Sequence, residues 1–149
     1  CFTDEVDCSR GDVIALAGDL GVGKTAFARA FIRARLRTDD DVPSPTFTLL
    51  QSYDCGRLAV HHFDLYRLRD VSDVRELGLE AALSDGVALV EWPERLGDAM
   101  PDATRAAARH APDRRGELRG KVVVLTIVPS IGTESISCRM ASTATWSDL

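Results

Sequence analysis

No stretch of the 149 residues is apolar for long enough to cross a bilayer. The longest candidate, Val122 to Val128, is interrupted by Thr126 and falls far short of the roughly 18 residues a spanning helix needs. Positive charge is not in excess either: 18 Lys+Arg stand against 23 Asp+Glu, a formal charge of −5. The chain therefore has no global field for gripping nucleic acid, and any such contact has to be local or made through a partner. Cysteine is sparse, and Cys1, Cys8, Cys55 and Cys138 show neither C-x-x-C spacing nor histidines in metal register. They read as reduced thiols of a cytoplasmic protein. A secretion signal is missing too, since the start is acidic (Asp4, Glu5, Asp7) and lacks a basic segment followed by an apolar one. The chain begins at Cys1 instead of Met, which points to residues upstream. There is no internal repeat. What is present is ordinary: 45% apolar and 28% charged residues exclude a largely disordered or collagen-like chain. A length near 150 fits one domain with a real core.

Along the chain, Val13-Ile14-Ala15-Leu16-Ala17 has the length and branching of a buried strand and stops at Gly18. Lys24 to Arg37 predicts a helix with Phe27, Ala30, Phe31 and Ala34 on its packed face and Arg29, Arg33 and Arg37 on a solvated one. Thr46 to Tyr53 and Leu58 to Tyr66 predict an antiparallel pair joined by Asp54-Cys55-Gly56-Arg57. Ser72 is a candidate N-cap for a short helix through Leu77, and Gly78 separates it from a second piece, Leu79 to Leu83. Val87 to Val90 predicts a buried strand ending at Glu91, closed by Trp92-Pro93. Asp98 to Gly120 gives little signal, Lys121 to Val128 returns to strand character, and residues 129–149 read as a loosely held tail behind a single domain over 1–128.

The segment Gly18-Asp19-Leu20-Gly21-Val22-Gly23-Lys24-Thr25 is a complete G-x-x-x-x-G-K-[ST] match between a predicted strand and a predicted helix. Glycines let the backbone wrap an anion with its N–H groups inward, and the helix adds the positive end of its dipole. Lys24 is expected to reach the β- and γ-phosphates of a bound ligand, and the Thr25 hydroxyl to hold Mg²⁺. A second ligand for Mg²⁺ should be a carboxylate at a neighbouring strand end. Glu91 fits that place, and Asp64 in His61-His62-Phe63-Asp64-Leu65-Tyr66-Arg67 is the other candidate. Near a γ-phosphate, Asp64 would orient the attacking water; an ion pair with an arginine such as Arg67 is the plainer alternative. His61 and His62 point to opposite faces of a regular strand, which assigns them structural roles.

The strings AGDLGVGKT, SPTFTL, HFDLYRL, LGLEAAL and VEWPERL, in that order, resemble the TsaE (YjeE) ATPases of bacterial tRNA threonylcarbamoyladenosine biosynthesis. The resemblance spans about Gly11 to Leu96. It implies an α/β, P-loop NTPase-like three-layer fold with a mixed, largely parallel sheet, and a small ATPase that works with the partner proteins TsaD and TsaB; with no strong general base evident among its residues, turnover is expected to be slow alone and faster once the partners complete the site. Contact with tRNA would then be indirect. It further implies that Gly18 to Thr25 bind ATP, that Thr25 and Glu91 hold Mg²⁺, that Asp64 serves hydrolysis, and that Ser44 and Thr46 belong to a switch-like loop near the γ-phosphate. The family's N-terminal helix, which helps enclose the adenine, is expected to be absent from these residues, since only nine precede Arg10; either the chain is truncated there or the base is held more loosely. Gly120-Lys121 is the nearest match to a nucleotide-side glycine and arginine, with Lys121 lacking the bidentate fork. Trp92 either stacks on adenine or packs the core. Two other functions compete: a small-molecule kinase whose lid would be Arg105 to Arg119, and an adaptor that binds nucleotide without hydrolysis.

Overall fold

The computed structural model describes residues 8–99, 122–128 and 137–141. In chain order these form β1 (Val13–Ala17), α1 (Lys24–Leu36), β2 (Leu50–Asp54), β3 (Ala59–Asp64), α2 (Val71–Leu77), α3 (Leu79–Asp85), β4 (Gly86–Glu91), a kinked 3₁₀ segment (Pro93–Ala99), β5 (Val122–Val128) and β6 (Ser137–Ala141). One sheet runs in the order β2-β3-β4-β1-β5-β6. Its four inner strands are parallel and both edges are antiparallel, so the sheet is mixed and largely parallel.

Apolar residues on both sides of the inner strands make this sheet the middle of three layers, as expected of parallel strands buried on two faces. On one face Ile14, Leu16, Val60, Val87, Leu89, Leu125 and Ile127 pack against Phe27, Ala28, Phe31 and Ile32 of α1. On the other, Val13, Ala15, Phe63, Ala88 and Val90 pack against Val74, Leu79, Ala82 and Leu83 of α2 and α3. The buried stripe of α1 is thus rotated from the predicted one: Ala28 and Ile32 are inside, and Ala30 is exposed. Alanine is small enough to sit on either side of a helix, so Ile32 decides the face.

The arginine stripe of α1 is also less solvated than predicted. Arg29 Nε donates to the Val42 carbonyl and Arg33 Nε to the Asp40 carbonyl, each at 2.9 Å, and strap the loop that leads to Ser44 onto the helix. The hairpin strands are shorter than expected because residues 46–49 form a turn ahead of β2. Helix α2 is capped by Asp70, not Ser72: the Asp70 carboxylate accepts the Ser72 amide at 2.7 Å, and Asp73 completes a capping box. Asp70 wins because the amide of Ser72 is itself one of the unsatisfied first-turn donors. In the segment read as a loose tail, Ser137–Ala141 pairs antiparallel with β5. Pairing there covers the backbone groups that β5 would otherwise present as an open edge.

Candidate functional site

Strands β1, β3 and β4 end side by side, with Leu16 and Asp64 each in register with Glu91. Their carboxyl ends, the loop after β1 and the start of α1 enclose a cavity of about 360 Å³, within the usual size of small-molecule sites, about 300–1,000 Å³. Its lining includes Gly21, Gly23, Lys24, Thr25, Thr46, Asp64, Glu91 and Trp92.

The loop takes its shape from glycine. Gly18 sits at φ +144°, and a Cβ there would lie 2.7 Å from the Ile127 carbonyl oxygen, a contact no side chain tolerates. Gly23 is left-handed at φ 104° and caps α1 without a side chain. The first turn of α1 carries no acidic residue, so no carboxylate on the helix competes for its unsatisfied N–H groups. Gly18, Asp19, Leu20, Gly21, Val22, Gly23, Lys24 and Thr25 therefore form a contiguous cradle, with the Leu20 side chain exposed at its tip.

Lys24 is only 5% exposed. Its ammonium donates to the carbonyls of Gly18 (2.6 Å) and Asp19 (2.7 Å) and lies 3.7 Å from the centre of the Trp92 ring. Burial pushes its pKa down, against an upward pull from Glu91, Glu94, Asp19 and Asp64. Trp92, at φ 59°, is held between this ammonium and Tyr66, whose ring centre is 5.1 Å away. That puts the indole beside the lysine of the cradle, where the sequence left base stacking and core packing open.

Thr25 and Glu91 are 66 residues apart in the chain, yet the Thr25 hydroxyl donates to Glu91 Oε2 at 2.8 Å. Both are hard oxygen donors on the cavity wall, the donor set that Mg²⁺ takes alongside phosphate oxygens, so the residues fit the ion. Glu91 is 2% exposed, and its other oxygen, Oε1, lies 2.7 Å from His62 Nε2. Sequence reasoning assigned His62 a structural role and missed this contact. The available signal was alternation, which puts His62 and Asp64 on one face of β3.

Asp64 is also buried, and both its oxygens are engaged. Oδ2 accepts the Thr46 hydroxyl at 3.0 Å, and Oδ1 accepts the Tyr66 amide at 3.1 Å. The Ser44 and Thr46 hydroxyls are 2.7 Å apart. The loop of Ser44 and Thr46 is thereby tied to Asp64, while Arg67 lies over the exposed Phe47 ring at 4.6 Å in place of an Asp64 ion pair. Lys121 and the arginines from Arg105 to Arg119 lie outside the described residues. Among the described residues no helix is long and apolar enough to cross a membrane.

The family profile described as "Threonylcarbamoyl adenosine biosynthesis protein TsaE" matches residues 3–117. The chain is 43% identical over 90 residues to the tRNA threonylcarbamoyladenosine biosynthesis protein TsaE of Rickettsia bellii, covering 60% of this chain and 62% of that protein. Against the Bacillus subtilis protein of the same name it is 42% identical over 92 residues, 61% of this chain and 56% of that one. Each match thus spans less than two thirds of the relative's length. Among solved structures it is similar to the crystal structure of Bacillus subtilis YdiB, with a TM-score of 0.56 and 25% identity over 89% of this chain and 69% of that one. With the profile matched across most of its length, and the glycine cradle and its carboxylate partners gathered at one end of a P-loop-like sheet, the chain belongs to the TsaE family.

Proposed function

We propose that this chain binds Mg²⁺-ATP in the cavity at the ends of β1, β3 and β4, hydrolyses it slowly, and in doing so supports threonylcarbamoyladenosine modification of tRNA together with TsaB and TsaD. The observation that carries the reading is the meeting of Thr25 and Glu91 at 2.8 Å beside the cradle. Residues so far apart in the chain converge there only through the fold, and together with phosphate oxygens they would hold the divalent cation. When bound, the cation neutralises charge on the phosphates.

The protein's own groups divide the remaining work. Backbone N–H groups from Gly18 to Thr25 hold phosphate oxygens, and Lys24 exchanges its bonds to the Gly18 and Asp19 carbonyls for bonds to the β- and γ-phosphates. Its lowered pKa reflects a group already stripped of water, which strengthens its pairing with an anion. Asp64 orients the attacking water once Thr46 releases it, which makes the Ser44 and Thr46 loop the natural sensor of the γ-phosphate. Trp92 closes the phosphate end of the cavity. The tRNA-modifying role carries a cytoplasmic setting with it.

Calorimetric titration tests the reading directly. Lys24→Ala should weaken Mg²⁺-ATP binding by about one to two orders of magnitude, the worth of a charge-assisted bond of roughly 1.5–3 kcal/mol; unchanged affinity would remove the assigned cradle. Asp64→Ala should keep binding and lose hydrolysis. ATPase rates measured with and without the TsaB–TsaD pair should differ, and equal rates would sink the partner-stimulated model.

A further inference from the structure

His62 is one of the few polar side chains in the core, and its surroundings are unusual. The ring is 0% exposed and does not line the cavity. Its Nδ1 is the one buried side-chain nitrogen or oxygen without a hydrogen-bond partner among the described residues. The contact of Nε2 with Glu91 Oε1 at 2.7 Å is therefore the ring's single polar bond. A residue needed only to fill space between β3 and β4 would be apolar, since an apolar side chain strands no lone pair. The imidazole brings something a leucine cannot: a rigid N–H aimed at one oxygen of a carboxylate.

Glu91 shows what that N–H does. Its terminal torsion is soft, because rotation about a bond to an sp² carbon is broad and two-fold. Two donors remove that freedom, His62 on Oε1 and the Thr25 hydroxyl on Oε2. Thr25 sits on the mobile side of the problem, since its hydroxyl is itself a candidate cation ligand and must rearrange when the ion enters. His62 has no such second duty. It holds Oε1 from behind, in the sheet, and leaves Oε2 turned to Thr25 and the cavity.

We infer that His62 is a positioning residue for the divalent cation, acting through Glu91 by fixing the plane of its carboxylate. The inference rests on the Mg²⁺-ATP reading above and adds a residue to it. Hydrogen bonds to ligating carboxylates are commonly worth 10–100-fold in metal affinity.

The test measures Mn²⁺ binding by electron paramagnetic resonance, with the chain saturated in ADP, and in parallel ADP affinity in EDTA. His62→Leu removes the donor. His62→Asn and His62→Gln both keep an amide, but only glutamine is long enough to put its N–H where Nε2 now lies. His62→Leu and His62→Asn should each weaken Mn²⁺ binding about 10-fold, with His62→Gln within about 2-fold of the parent. ADP affinity in EDTA should be the same in all three. If the leucine variant fails to fold, the Asn and Gln pair carries the comparison alone. Equal losses in Asn and Gln would mean that the ring matters only as packing and would overturn the inference. So would parental affinity in the Asn and Leu variants beside a clear loss in Glu91→Gln, an outcome that leaves the cation reading intact. Parental affinity in Glu91→Gln would instead remove the cation reading, and the inference with it.

Discussion

Two neighbouring histidines on one strand each reach a carboxylate at 2.7 Å, and the two pairs could hardly differ more. His62 meets Glu91 inside the sheet at the cavity end, with side chains 0% and 2% exposed. His61 meets Asp85 on the opposite face, at the other end of β4, with side chains 11% and 64% exposed, and its second nitrogen is 2.8 Å from the Ser52 hydroxyl. The outer pair ties edge strand β2 and the end of α3 to β3, with every ring nitrogen engaged. The inner pair leaves a nitrogen unpaired. Distance is therefore a poor guide to what a contact does. A pair open to water gains little because water already solvates its exposed partner. A buried pair need not stabilise the fold at all, but breaking it strands a polar atom out of reach of water.

The largest effect should come from breaking the inner pair. Removing either partner, as in His62→Ala or Glu91→Ala, should cost about 1–3 kcal/mol in chemical denaturation, the penalty for leaving a buried polar group unpaired. A double-mutant cycle between them should show strong coupling, whereas strict additivity would mean that the side chains do not sense each other. The outer pair sharpens the contrast. His61→Ala and Asp85→Ala should couple by only about 0.2–1 kcal/mol. Equal coupling energies in the two pairs would dissolve the distinction.

The smallest effect belongs to a carboxylate with no shelter. Asp70 caps α2, and its bond from the Ser72 amide holds its pKa below the ordinary value. A depressed pKa in the folded state means that the contribution is complete above the ordinary aspartate range, about pH 4, and is lost as pH falls through the lowered value. Asp70→Ala should therefore lower the melting temperature slightly at neutral pH, and the gap should close on acidification. A gap that widens in acid would refute the capping account.

The elements legible in the sequence were those with local causes. β1, α1, β4 and the break between α2 and α3 at Gly78 follow from runs, glycines and periodicity within a few residues. The less legible features were decided by competition between near-equals. The buried face of α1 turned on Ile32 against two alanines, and the cap of α2 on Asp70 against Ser72. The turn ahead of β2 was hidden because Thr46 to Leu49 has residues that suit a strand, yet the Leu49 amide bonds to the Pro45 carbonyl at 2.6 Å and Leu49 adopts φ 64°. That turn is what brings Thr46 back to Asp64.

The proposed phosphate cradle is legible in eight contiguous residues, because backbone that is to wrap an anion and then start a helix demands glycine at fixed places and a lysine just beyond. Nothing in those residues says which carboxylate will face Thr25, or that an imidazole will stand behind it. That was decided by the parallel register of β3 and β4, which sets Asp64 opposite Glu91 and His62 opposite Leu89, close enough for His62 to lean onto Glu91. Strand register is a property of the whole sheet, fixed by which apolar faces must be buried together, and so the site's second half exists only once the chain has folded.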